Sequence, residues 1–196
     1  FYIYLIPFLG PYKLNEIPLW ILFSAIALLV LFSAFFSGSE TSMMAINRYR
    51  LKHLVKEKHK SARRVTKLLE RTDRLLGVIL IGNNFTHTLA TAIATVIAIR
   101  LWSDSAVLAV TVFMTIVMII FAEVMPKTIA ALKPESIAFP ASFFLKPLSK
   151  ILSPLVTLVS LVSNGVTKLL GIDLDNTDNE ELKPEELRTL LQTSRV

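Results

Sequence analysis

Between Leu75 and Trp102 the sequence is apolar and long enough to cross a lipid bilayer, yet its first half carries Gly82, Asn83, Asn84, Thr86, His87 and Thr88. A helix needs about 20 predominantly apolar residues to cross a hydrocarbon core of ~30 Å, and every amide or imidazole placed there must find a partner or a ligand. Asn83 and His87 lie one helical turn apart and share a face. Thr86, Ala90, Ala94 and Ala98 continue at the same spacing, and such a stripe of small side chains lets neighbouring helices approach closely. The segment is therefore expected to be the central helix of a membrane bundle. One Asn alone could serve as an interhelical hydrogen bond; two adjacent Asn and a His point to a polar cavity.

Composition agrees with a membrane chain. The 196 residues are 53% hydrophobic and 18% charged, with a mean hydropathy of +0.58, which is too apolar for a typical soluble domain and allows only a few spans. The net charge of +6 is grouped beside the apolar segments, as topology determinants are, so no nucleic-acid partner is expected. The absence of cysteine excludes disulfides, thiolate metal sites and Cys nucleophiles. The first segment lacks the basic lead and small-residue cleavage site of a signal peptide.

In chain order, the aromatic, proline-broken stretch from Phe1 to Pro18 suits the membrane interface, and the first span is expected at about 19–37. Ser37-Gly38-Ser39-Glu40 is expected to break that helix, with Ser39, Thr41 or Ser42 capping the next. The basic stretch 43–74 is expected to be a cytoplasmic hairpin of two amphipathic helices joined near Lys58–Ser61, lying against the inner leaflet, with His53 and His59 as solvated surface residues. A second span at 75–101 leads outward to an external turn at 103–105, and a third at 106–125 returns to Glu123 and to Pro126, which is expected to weaken the helix. Glu123, a carboxylate at the end of an apolar run, is a functional candidate. Pro140, Pro147 and Pro154, with interspersed lysines, argue against a simple fourth span and divide 134–171 into juxtamembrane helices that lie at the cytoplasmic interface or re-enter it, with 151–170 as the piece able to span otherwise. The expected fold is thus an all-α integral membrane protein with a transmembrane domain over 1–172. An acidic linker over 173–196, with a short helix after Pro184, closes a chain that reads as a piece of something longer.

Three polar clusters then sit on three helices at similar depth: Ser37 with Ser39, Asn83 with Asn84 and His87, and Glu123 beside Pro126. Hydroxyl, amide and carboxylate oxygens form a hard-oxygen set suited to Mg2+ or another hard cation. A single carboxylate suits a site that must release its ion.

At these same residues the chain resembles the CorB/CorC and cyclin M family of magnesium transporters. Phe36-Ser37-Gly38-Ser39-Glu40-Thr41, Gly82-Asn83-Asn84 and Glu123-Val124-Met125-Pro126-Lys127-Thr128 look like its three ordered motifs. The resemblance implies a homodimer of three-span subunits in contact with membrane lipids, followed by CBS domains absent from this stretch, through which alone ATP would bind. It implies Ser37, Asn83 and Glu123 as Mg2+ ligands, with Ser39, Asn84 and His87 as secondary candidates. Many relatives carry a second Asn where this chain has His87, and imidazole is a weaker Mg2+ ligand than an amide oxygen. The implied function is outward Mg2+ transport, with Na+ as the candidate counter-ion, without enzymatic chemistry. The alternative is a membrane Mg2+ sensor that regulates another transporter. An intramembrane hydrolase built on Ser37 and His87 would need an acid to orient the imidazole, and the sequence has no Gly-x-Ser-x-Gly elbow.

Overall fold

The computed structural model describes residues 17–169, and every regular element among them is helical. The aromatic lead 1–16 and the acidic linker, with its expected helix after Pro184, lie outside the described residues. Helix α1 spans Leu19–Ala45, α2 Arg48–Lys56, α3 Lys60–Leu69 and α4 Thr72–Trp102. A short 3-10 turn, Asp104–Ala106, leads into α5 (Val107–Val117), a π-helical segment (Met118–Val124) and α6 (Met125–Leu132); α7 is Pro134–Ile151 and α8 Ser153–Leu169. Three stretches are long and apolar enough to cross a membrane: Leu19–Ala45, Thr72–Trp102 and Asp104–Leu132.

Polarity is inverted along α1. Trp20, Phe23, Leu28, Leu31 and Phe32 are exposed, whereas Ser33, Ser37, Ser39 and Ser42 are fully buried. Lipid is as apolar as leucine, so large hydrocarbon side chains face it freely while small polar ones turn toward other helices. The expected break at Ser37–Ser39 does not occur, and the helix continues to Ala45. An unbroken helix satisfies every backbone group internally where no water can, and the Ser42 hydroxyl donates to the Ser39 carbonyl at 3.0 Å instead of capping a new helix. That cap falls to Asn47, whose Oδ1 accepts from the Tyr49 and Arg50 amides.

The hairpin turns at Lys58, which takes φ 63°. Both histidines beside it are exposed, as expected, and each also has a neighbour: His53 lies 3.6 Å from Glu57, and His59 caps α3 through the Ala62 amide while its ring packs 5.2 Å from Phe139. The hairpin also folds onto the membrane helices instead of merely lying on a leaflet. Phe36, Met43, Leu51, Val65, Leu69, Leu75, Ile79 and Leu145 form one buried cluster joining α1, α2, α3, α4 and α7. Arg50 pairs with Glu135 at 2.8 Å and fastens α2 to the start of α7.

A second cluster lies among the spans, where Ala90 and Ala94 of α4 meet Met114, Met118 and Ala122, with Ile26, Leu29 and Val30 of α1 packed against them. Pro126 does not interrupt the third span. The helix instead widens into π turns just ahead of it and resumes at Met125, which accommodates a ring that would collide with the Ala122 carbonyl in regular α geometry. Pro140 and Pro147 likewise sit inside α7 rather than dividing it, and the helix ends at Ile151 with Leu152 as its C-cap. The second unit begins at Ser153, and its helix α8 exposes Leu158, Leu161, Val162 and Val166.

Candidate functional site

The three polar motifs meet pairwise. Between α1 and α4, the Ser33 hydroxyl donates to Asn83 Oδ1 at 2.7 Å, and the Phe36 ring lies over Gly82 so closely that a Cβ there would sit 2.5 Å from ring carbon. Only glycine leaves room for that ring, so Gly82 sets the approach that lets Asn83 reach Ser33. Between α1 and the third span, Gly38 faces Pro126, with an added Cβ 3.6 Å from the Pro126 carbonyl oxygen. Beside that contact, Lys127 Nζ lies 3.8 Å from Glu40 Oε2. Between α4 and the π segment, His87 Nε2 lies 3.8 Å from Glu123 Oε1.

Lys127, one helical turn from Glu123, pairs with Glu40, and Glu123 faces His87, with its side chain 40% exposed. The π turns place Glu123 off the regular α register, and such segments recur where a helix must aim a side chain at a site.

Ser37 Oγ and Ser39 Oγ are fully buried without a hydrogen-bond partner, and His87 Nε2 is likewise unpaired. Ser37 and His87 therefore make no nucleophile–base hydrogen bond. Asn83 is half-buried and keeps a second lone pair on Oδ1 beyond the one that Ser33 uses. Asn84 stands apart from the others: it is exposed, and its amide donates to the Leu80 carbonyl at 3.0 Å within its own helix. No group of three or more His, Cys, Asp or Glu residues gathers among the described residues, so any cation here would rely on neutral oxygens around one carboxylate.

Sequence reasoning missed Ser33 and the Glu40–Lys127 pair. Ser33 lies one turn before Ser37 on the same face, a helical spacing that could have flagged it. Glu40 and Lys127 carry no comparable signal, because their partnership depends on how α1 and α6 pack.

Three membrane-length helices with polar side chains turned inward and hydrocarbon turned outward define a polytopic membrane domain. The family profile described as Cyclin M transmembrane N-terminal domain matches residues 24–195, and the chain belongs to that family. It is similar to the UPF0053 inner membrane protein YfjD of Escherichia coli (strain K12), 48% identical over 163 residues that cover 83% of this chain and 38% of the relative. A UPF0053 protein of Haemophilus influenzae is 40% identical over 178 residues, covering 91% of this chain and 42% of its own length. A chloroplastic DUF21 domain-containing protein of Arabidopsis thaliana is 30% identical over 176 residues, 87% of this chain and 26% of the relative. The chain thus spans well under half the length of these curated relatives.

Proposed function

We propose that this domain carries Mg2+ across the membrane, with Ser37, Asn83 and Glu123 supplying protein oxygens to the passing ion. Three observations support this reading: the motifs contact one another pairwise, the Ser37 and Ser39 hydroxyls are buried without a hydrogen bond, and no Lys or Arg neutralises the Glu123 carboxylate among the described residues. Mg2+ prefers near-octahedral oxygen and gives up water reluctantly, so a few neutral oxygens around one carboxylate would strip part of its shell without trapping it. Ser39 supplies a further hydroxyl on the same buried stretch, and His87 faces the carboxylate as a neighbour rather than a first-choice ligand. Asn84 drops behind the other candidates on its exposure.

The same reading places the α2–α3 hairpin in the cytoplasm, from its Lys/Arg excess, and the domain in an inner membrane, by analogy with the printed description of the Escherichia coli relative. The transporting unit is a homodimer and the direction is outward, exchanged for Na+; these features rest on the family resemblance. The full-length protein in liposomes tests the proposal. A trapped Mg2+ indicator should report flux by the wild type and none by Glu123→Gln. Retained Mg2+ binding without flux would instead assign the domain to sensing and regulation. Native mass spectrometry from mild detergent checks the dimer, and a monomer alone would contradict it.

A further inference from the structure

We propose that the cleft between α3 and α7 holds the phosphate of an anionic phospholipid whose acyl chain lies in the adjoining apolar groove between α1 and α7. The cleft, of about 310 Å³, is lined by Lys60, Arg63, Arg64, Lys67 and Lys146, with no carboxylate among these lining residues. Cations gathered this closely repel one another, and an anion of matching geometry relieves that repulsion. Arg64 is already oriented, since its Nε donates to Ser142 Oγ at 3.3 Å and its Nη2 to Ser61 Oγ at 2.8 Å. A guanidinium held in place suits a phosphate, to which it can present two parallel donors.

The lipid source follows from what adjoins the cleft. The Arg64 guanidinium lies 5.9 Å over the Phe143 ring, and Phe143 meets Phe144 edge-on at 5.4 Å. Phe144 in turn lines an apolar groove of about 460 Å³ with Leu28, Phe32, Phe35 and Leu148. Phe143 and Phe144 are 63% and 60% exposed, a disposition that places hydrocarbon against them. Charge and grease therefore meet across the exposed Phe143 of α7, with Arg64 and Lys146 on one flank and the groove of Phe144 and Leu148 on the other, in the order found in a phospholipid. A free phosphate would use the cleft and leave the groove idle. The other cations of the hairpin do not share this arrangement: Arg50 is paired with Glu135, and Arg48, Lys52 and Lys56 lie on α2 outside the cleft.

The test uses full-length protein in mild detergent, with thermal unfolding followed on addition of dioleoyl phosphatidylglycerol, dioleoyl phosphatidylcholine or inorganic phosphate. Phosphatidylglycerol alone should raise the unfolding temperature, and Arg63→Gln/Lys67→Gln/Lys146→Gln should lose most of that rise. The charge-matched Arg48→Gln/Lys52→Gln/Lys56→Gln control should keep it. Lys146→Gln by itself, the milder variant, should weaken phosphatidylglycerol binding about fivefold, as expected for one cation near an anionic lipid. Equal stabilisation by inorganic phosphate would assign the cleft to a soluble anion and overturn the lipid assignment. Equal stabilisation by phosphatidylcholine, or an equal loss in the α2 control, would reduce the effect to hydrophobic contact or diffuse charge, and would likewise overturn it.

Discussion

Ser37 and Ser39 present an energetic anomaly, since a buried hydroxyl without a partner costs on the order of 1–3 kcal/mol and here two occur within one turn of α1. A ligand oxygen must be available, and a hydroxyl committed to another protein group is less so. Ser37→Ala should therefore leave the Mg2+-free protein as stable as before, or stabilise it by up to ~1 kcal/mol, while reducing the protection Mg2+ gives against heating. Equal Mg2+ protection in this variant and the wild type would remove Ser37 from the site. Asn83→Ala should behave differently. It strands the buried Ser33 hydroxyl, so a loss of ~1–3 kcal/mol is expected even without Mg2+, together with weaker Mg2+ protection. Glu123→Gln keeps shape and removes the charge, and should abolish Mg2+ protection altogether. His87→Asn should preserve or tighten it, because an amide oxygen would then stand where imidazole faces the carboxylate. Lost Mg2+ binding in His87→Asn would show that the imidazole itself takes part.

At the scale of elements, two glycines that look alike in sequence have different tasks. Gly82 lies under the Phe36 ring with no room for a Cβ, and Phe36 is itself held in the cluster that joins α1, α4 and α7. Gly82→Ala should push α1 and α4 apart and destabilise the domain by ~1–3 kcal/mol, as overpacking does. Gly38 is also helical, but an added Cβ would meet its nearest neighbours at 3.6–3.9 Å, an ordinary contact. Gly38→Ala should be tolerated, and the gain in helix propensity could reach ~0.5–1 kcal/mol. Thermal unfolding of the two variants side by side separates these expectations, and equal destabilisation of both would contradict the packing of α1 described here. The π segment lets a proline reside in a membrane-length helix while Glu123 is presented to α4.

Across the whole molecule, two buried clusters divide the labour. Small residues and methionines bring the spans together, and larger aliphatic residues lock the hairpin and α7 against the helix ends. The aliphatic cluster makes the hairpin part of the fold, so the hairpin's position relative to the bilayer bears directly on topology. The turn after Trp102, where Ser103 takes φ 80°, belongs to the opposite ends of α4 and the third span. Ser103→Cys should react with a membrane-impermeant maleimide in intact cells, whereas Lys58→Cys should require permeabilisation. These 196 residues contain no cysteine to confuse the readout. The reverse pattern of labelling would invert the proposed orientation.

The sequence by itself determined the three spans, the two amphipathic helices of the hairpin and the family, because hydropathy over a bilayer-length window, helical periodicity and ordered motifs are properties of local sequence. It also marked Thr86, Ala90, Ala94 and Ala98 as a contact stripe, and all four are buried. Tertiary structure decided what the polar residues do. Ser37-Gly38-Ser39 reads locally as a helix stop, but surrounding helices exclude water and make an unbroken helix the cheapest way to satisfy its backbone. Pro126, Pro140 and Pro147 read as breaks, yet a widened turn or packing against neighbours carries the helices through them. The partners of Ser33, Glu40, His87 and Glu123 lie on other helices, and no spacing within one segment encodes a contact that exists only once the segments pack.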